Sequence, residues 1–95
     1  MAGDGLQVTQ AAVEVLEISE ELAGICNANL LSDVAVAAVL AQATFEAGRI
    51  NVEVNLAGMT DEPLVGATRS DLDRTEQLAA KLKADCLAAI KARQG

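Results

Sequence analysis

The chain has 95 residues, 52% of them apolar but only 1% aromatic, and a net charge of −7. That length makes one domain at most. The acidic balance excludes a nucleic-acid surface, which needs basic residues to displace counterions, and argues equally against an anionic membrane surface.

The sequence has no histidine, so the commonest metal ligand and the usual neutral-pH general base are missing. Much of the apolar content is alanine, which favours helix but buries little area. A chain this short buries ~60–65% of its surface, so its helices are expected to need a partner, either another copy or a missing half. The start, MAGDGLQ, lacks the charged and apolar regions of a signal peptide. The longest apolar run, Val34 to Ala41, stops at Gln42, short of the ~18–20 residues of a membrane span. Cys26 and Cys86 are far apart with no metal-type spacing, and read as buried free thiols. The expectation is a soluble cytoplasmic protein with no metal and no membrane partner.

Residues 1–7 read as a flexible start. A first helix is expected from about Val8 to Ile25, with Thr9 as a possible cap. Val8, Ala11, Val15, Ile18, Leu22 and Ile25 recur at steps of three and four, the pattern of one core-facing stripe. Gly24 marks the fraying end, and the asparagines of Cys26-Asn27-Ala28-Asn29 mark a loop.

Ser32 or Asp33 is expected to cap the second helix, where Asp33 also suits the positive end of the dipole. Residues 34–45 are apolar nearly all round, which places this helix at the centre of a bundle. Residues 50–56 carry a conflict. Ile-Asn-Val-Glu-Val-Asn-Leu alternates like a strand, yet Asn51/Asn55 and Arg49/Glu53 are both spaced four apart, as a helix aligns them. No second alternating run exists, and a lone strand is unstable. The reading is one long helix from Asp33 to about Ala57, ended by Gly58.

Asp61, Glu62 and Pro63 form a helix start with Asp61 as cap. The third helix is expected to run to about Ala92 on Leu64, Thr68, Leu72, Thr75, Ala79, Leu82, Cys86 and Ile90. The fold class is thus all-α: a three-helix array around a long central apolar helix, completed into a bundle by dimerisation.

Four residues are candidates for binding. Asp33 is either a plain cap or a cap that also presents free N–H groups to a carboxylate or carbonyl oxygen, and Ser32 shares that reading. Asn51 and Asn55 are amides in an apolar setting and must find hydrogen bonds. They either bond each other, nearby backbone or a second subunit, or they line a pocket, where an amide can both donate and accept. Arg49 reads chiefly as a solvated partner of Glu53 on an exposed face. No nucleophile–base set and no phosphate loop is present.

The order of these features is informative. An Asn-rich loop (Asn27, Asn29) precedes Ser32-Asp33. An Ala/Val helix follows, and then Asn51-Val52 and Asn55-Leu56. This resembles the C-terminal part of the cyclodeaminase/cyclohydrolase family: the all-helical folate domain of formimidoyltransferase-cyclodeaminase and of bacterial methenyltetrahydrofolate cyclohydrolases. The resemblance runs from about Gln10 to the C-terminus. It implies a tetrahydrofolate derivative as substrate, and places Asp33, Asn51, Asn55 and Ser32 as substrate-binding groups, with the two amides addressing the pterin ring. Arg49 meeting a folate glutamate tail is a lesser implication. In the family, the folate C1 bridge either loses ammonia to give methenyltetrahydrofolate or is hydrolysed from methenyl- to formyltetrahydrofolate. Family members are longer and carry a Gly/Ala/Ser-rich segment and an acting acidic residue upstream. Nothing in Met1 to Thr9 reads as a substitute, so the chain resembles a C-terminal half with no catalytic residue identified. It then works with a second copy or a separate N-terminal half. The alternative is a non-catalytic helical dimerisation or assembly module.

Overall fold

A computed structural model describes residues 2–94, with side chains from Asp4 onward. Three long helices follow one another: α1 (Ala2–Ile25), α2 (Leu31–Ala57) and α3 (Glu62–Gln94), with a 3₁₀ turn at Ala28–Leu30 before α2. Each helix packs on the other two, in a body 51 × 18 × 14 Å. Residues 50–56 are helical. The i,i+4 reading prevails over the alternating one because the side Val52 and Leu56 share is the side buried against its neighbours.

The helix ends differ in how they are stopped. Asp61 caps α3 as expected, its Oδ1 accepting from Leu64 N–H at 3.1 Å. Gly58 ends α2 with φ −92° and ψ 0°, so it serves by lacking a side chain rather than by a left-handed turn. The N-terminus of α2 departs from expectation. The helix begins at Leu31, its cap position is Leu30, and no side chain caps it. Ser32 and Asp33 lie inside the first turn instead, exposed, where Asp33 still favours the dipole. Thr9 is not a cap either. It sits buried inside α1, which starts at Ala2, and its hydroxyl donates to the Leu6 carbonyl at 2.8 Å. Of the expected flexible start, Met1 lies outside the described residues.

The core forms two clusters. The larger gathers Leu16, Phe45, Ala79, Cys86 and Ile90 with small residues around them. The smaller is Val52, Leu56, Val65 and Leu72, with Leu6 against it. Between them α1 and α2 touch almost backbone to backbone. A Cβ on Gly5 would stand 2.7 Å from Val52 Cγ2 and 2.9 Å from the Gly48 carbonyl oxygen. Only glycine fits at that crossing. On α3, Leu72, Ala79, Cys86 and Ile90 are buried as their spacing predicts, whereas Leu64 is exposed and Val65 takes its place.

The α1 stripe is the main correction. Val15, Ile18, Leu22 and Ile25 are exposed, and the side that packs on α2 and α3 is lined by Thr9, Ala12, Leu16, Ser19 and Ala23. Two apolar arcs lie side by side on this helix. The arc of smaller residues wins the core because it lets the helices approach closely. Its two hydroxyls cost little, since Thr9 and Ser19 donate to carbonyls one turn back. α2 is likewise open on one side: Val36, Leu40, Ile50 and Val54 are all more than half exposed. It is central in the chain but not enclosed. With the turn before it, residues 28–57 are long and apolar enough to cross a membrane, by length and composition only.

Candidate functional site

The glycine crossing sets the geometry of the amide pair. Because α1 lies so close to α2 at Gly5 and Gly48, the first turn of α1 is held beside the last turns of α2. A cavity of about 340 Å³ opens there, lined by Asp4, Gly5, Val8, Asn51, Val54 and Asn55. Asn55 is half-buried and Asn51 exposed. Asn55 Nδ2 donates to the Asn51 carbonyl oxygen at 3.1 Å, which leaves the Asn55 amide oxygen and the Asn51 amide for a ligand. Asp4 adds a carboxylate. Two amides and one acid around an apolar wall suit a planar heterocycle with N–H donors and a carbonyl on its edge.

Asp4 escaped the sequence reading because it lies in a Gly-rich start with no periodic signal. The one clue was Gly5, whose small size matches the small Gly48. Ser32 and Asp33 belong elsewhere. Eighteen residues of helix separate Asp33 from Asn51, or about 27 Å at 1.5 Å per residue. Within one chain the structure brings Asn51 and Asn55 together and leaves Ser32 and Asp33 at the far end of α2.

Arg49 is not on the solvated face the sequence suggested. Its side chain is 18% exposed and spans from α2 to α3, meeting Asp73 at 2.6 Å and Glu76 at 3.1 Å, with Glu53 at 3.6 Å. The hydrogen bond that Arg49 donates to Asp73, opposed by burial and reinforced by the charges of Glu76, Asp73 and Glu53, holds the guanidinium above its ordinary value. Arg69 closes the network on Glu53 at 3.0 Å. These carboxylates already consume the positive charge, so the cluster is a clamp between helices.

Another cavity, of about 500 Å³, lies elsewhere, lined by Glu14, Glu17, Ile18, Glu20, Glu21 and Leu82. Its four glutamates make an acidic surface, with Lys81 close enough to Glu20 to feel its charge. Among the described residues no three Asp, Glu or Cys side chains converge as metal ligands would. Both cysteines are free, Cys86 buried and Cys26 half-buried. Burial pushes the Cys86 thiol up, with smaller contributions from Glu20 and Cys26, and its sulfur donates to the Ser19 carbonyl at 3.5 Å. Arg93 Nη1 donates to the Ala23 carbonyl at 3.1 Å, so a basic residue of α3 serves the negative end of α1.

Comparison with known proteins gives one match. A family model described as formiminotransferase-cyclodeaminase covers residues 3–74, a span that includes the Asp4 turn, Ser32-Asp33 and both asparagines. No curated protein and no solved structure matches the chain.

Proposed function

The chain belongs to the formiminotransferase-cyclodeaminase family, and from that premise we propose that it binds the pterin of a reduced folate in the cavity between Asp4 and the Asn51–Asn55 pair. The observation that carries this reading is the convergence of one carboxylate and two amides on a cavity of about 340 Å³, at the end of α2 where the family-like Asn-Val and Asn-Leu steps stand. A pterin ring edge offers paired N–H donors beside a carbonyl oxygen. The Asp4 carboxylate accepts from the donors, and an amide NH₂ of Asn51 donates to the carbonyl. Val8 and Val54 supply apolar contact for the ring face.

The reaction class is that of the resemblance, either loss of ammonia from a formimino group or hydrolysis of the methenyl bridge, and the chain takes the part of the domain that binds the substrate. Asp4 is the acidic group that lines this cavity with the amide pair and the one to test for proton transfer. The supporting experiment is isothermal titration of the purified chain with tetrahydrofolate and its methenyl and formyl derivatives. Saturable heat that weakens at least tenfold in both Asp4→Asn and Asn55→Leu supports the site. Absence of heat at millimolar ligand refutes it.

A second reading has its own observation. The bare apolar face on α1 and α2 favours an assembly module, in which the helices serve to join subunits and the cavity is incidental.

A further inference from the structure

A reduced folate held by its pterin edge between Asp4 and the amide pair must carry its glutamate tail out of the cavity. Two ways lead out. One crosses Val54, which lines both this cavity and a neighbouring one of about 480 Å³ walled by Glu46, Arg49, Ile50, Glu53 and Glu76. The other follows the seam of α1 and α2, where Ala11, Val15, Leu40 and Thr44 wall a groove of about 330 Å³.

The way across Val54 is acidic. Arg49 is the one cation among the described residues that line the two cavities, and its guanidinium is engaged. Nη2 donates to Asp73 at 2.6 Å and Nη1 to Glu76 at 3.1 Å, with Glu53 at 3.6 Å. Arg69 is bound to Glu53 at 3.0 Å. With Asp4 and Glu46 included, five carboxylates stand against these two guanidinium groups, so the surround is negative on balance. A tail carboxylate reaches Arg49 only by displacing Asp73 and Glu76 from the bridge between α2 and α3. Glu53 is two residues from each asparagine, about 3 Å along the helix, and Glu46 is five residues before Asn51, about 7.5 Å. Both spacings lie within the ~8 Å screening length of physiological salt, so these charges act on a ligand at the amide pair.

The seam is hostile for a different reason. Its walls are mostly aliphatic, and the Thr44 hydroxyl already donates to the Leu40 carbonyl at 2.8 Å. A carboxylate entering it loses water and gains no hydrogen bond.

We propose that the site discriminates by tail charge: it takes reduced folates with a single glutamate or none, and disfavours the poly-γ-glutamyl forms, in which every added residue brings one more carboxylate. This rests on the folate reading of the cavity and extends it from the pterin to the rest of the ligand. Recognition comes from the ring edge, and Arg49 takes no part in it.

The test is titration of the purified full chain with the monoglutamate and pentaglutamate forms of formyltetrahydrofolate. In about 0.01 M salt, where the screening length is ~30 Å, the pentaglutamate should bind about fivefold more weakly or worse. In about 1 M salt, where that length is ~3 Å, the two should agree within about twofold. Glu46 is exposed, so Glu46→Lys should keep the helical fold, and it should narrow the low-salt ratio by about twofold or more. Pentaglutamate binding as tight as monoglutamate binding in low salt overturns the proposal and leaves the folate reading standing. A monoglutamate preference that persists in high salt, or a ratio untouched by Glu46→Lys, overturns it as well. Absence of binding by both forms at millimolar concentration sinks the folate reading, and this proposal with it.

Discussion

Gly48→Ala should destabilise the chain although alanine is the better helix former. In an open helical position the change is worth about 1 kcal/mol in favour of alanine. At Gly48 the new methyl would meet three atoms of α1 at 3.0 Å: the Gly5 carbonyl oxygen, Thr9 Cγ2 and Val8 Cγ1. One of the three is backbone, and Thr9 is buried, so relief requires α1 to move off α2. Overpacking of this kind costs ~1–3 kcal/mol, and the net result is a loss of up to about 2 kcal/mol. Gly66→Ala is the internal reference, because a Cβ there has nothing within 4 Å and should gain about 0.5–1 kcal/mol. Urea unfolding followed by far-UV circular dichroism, at one protein concentration for all variants, gives both values. The two should differ by about 1–3 kcal/mol in opposite directions. Equal shifts at Gly48 and Gly66 would refute the argument that the α1–α2 crossing demands glycine. The same displacement draws Asp4 away from Asn51, so Gly48→Ala should also weaken any folate binding.

Asn55→Leu should leave the denaturant midpoint within about 0.5 kcal/mol, because the bond it loses is a partly solvated one to a carbonyl on its own helix, while folate titration loses its signal; a loss above 2 kcal/mol would instead mark Asn55 as structural. Arg49→Met should cost about 1–2 kcal/mol in the same unfolding assay, since a half-buried bridge to Asp73 and Glu76 is removed and charge-assisted hydrogen bonds are the stronger ones; no change would show the clamp to be ornamental. Cys26 should react with a thiol reagent in the native state and Cys86 only after unfolding, read as one fast thiol per chain. The raised Cys86 pKa also sets a sign: the folded chain keeps the proton longer than the unfolded one, so this contribution is whole below the ordinary thiol value of about 8.5 and is lost as pH rises through the raised folded value. Cys86→Ala should flatten that alkaline slope.

Helix identity was legible in the sequence because it rests on local terms. The Asp61-Glu62-Pro63 start, the Gly58 stop and the paired i,i+4 spacing of residues 49–55 each act within one or two turns, and each appears in the structure as read. The family was legible too, since a fixed order of Asn, Ser-Asp and Asn-Leu steps survives without knowledge of packing. Which arc of a helix faces inward was not legible. On α1 the Val8-to-Ile25 stripe and the Thr9-to-Ala23 stripe both satisfy helical period, and hydrophobicity favours the first. Close approach at Gly5 and Gly48 selects the second, and that choice is made between helices. The same contact decided the candidate site. It carried Asp4, in a stretch without pattern, to the amide pair, and it left Ser32 and Asp33 at the other end of a rigid helix. Arg49 changed from a surface charge to an interhelical clamp because its partners Asp73 and Glu76 lie on α3, beyond the reach of any local spacing rule. Sequence by itself determined the helices and the kinship of this chain; tertiary structure decided which faces are buried and which polar groups meet, because those depend on distances between elements that no periodicity within an element contains.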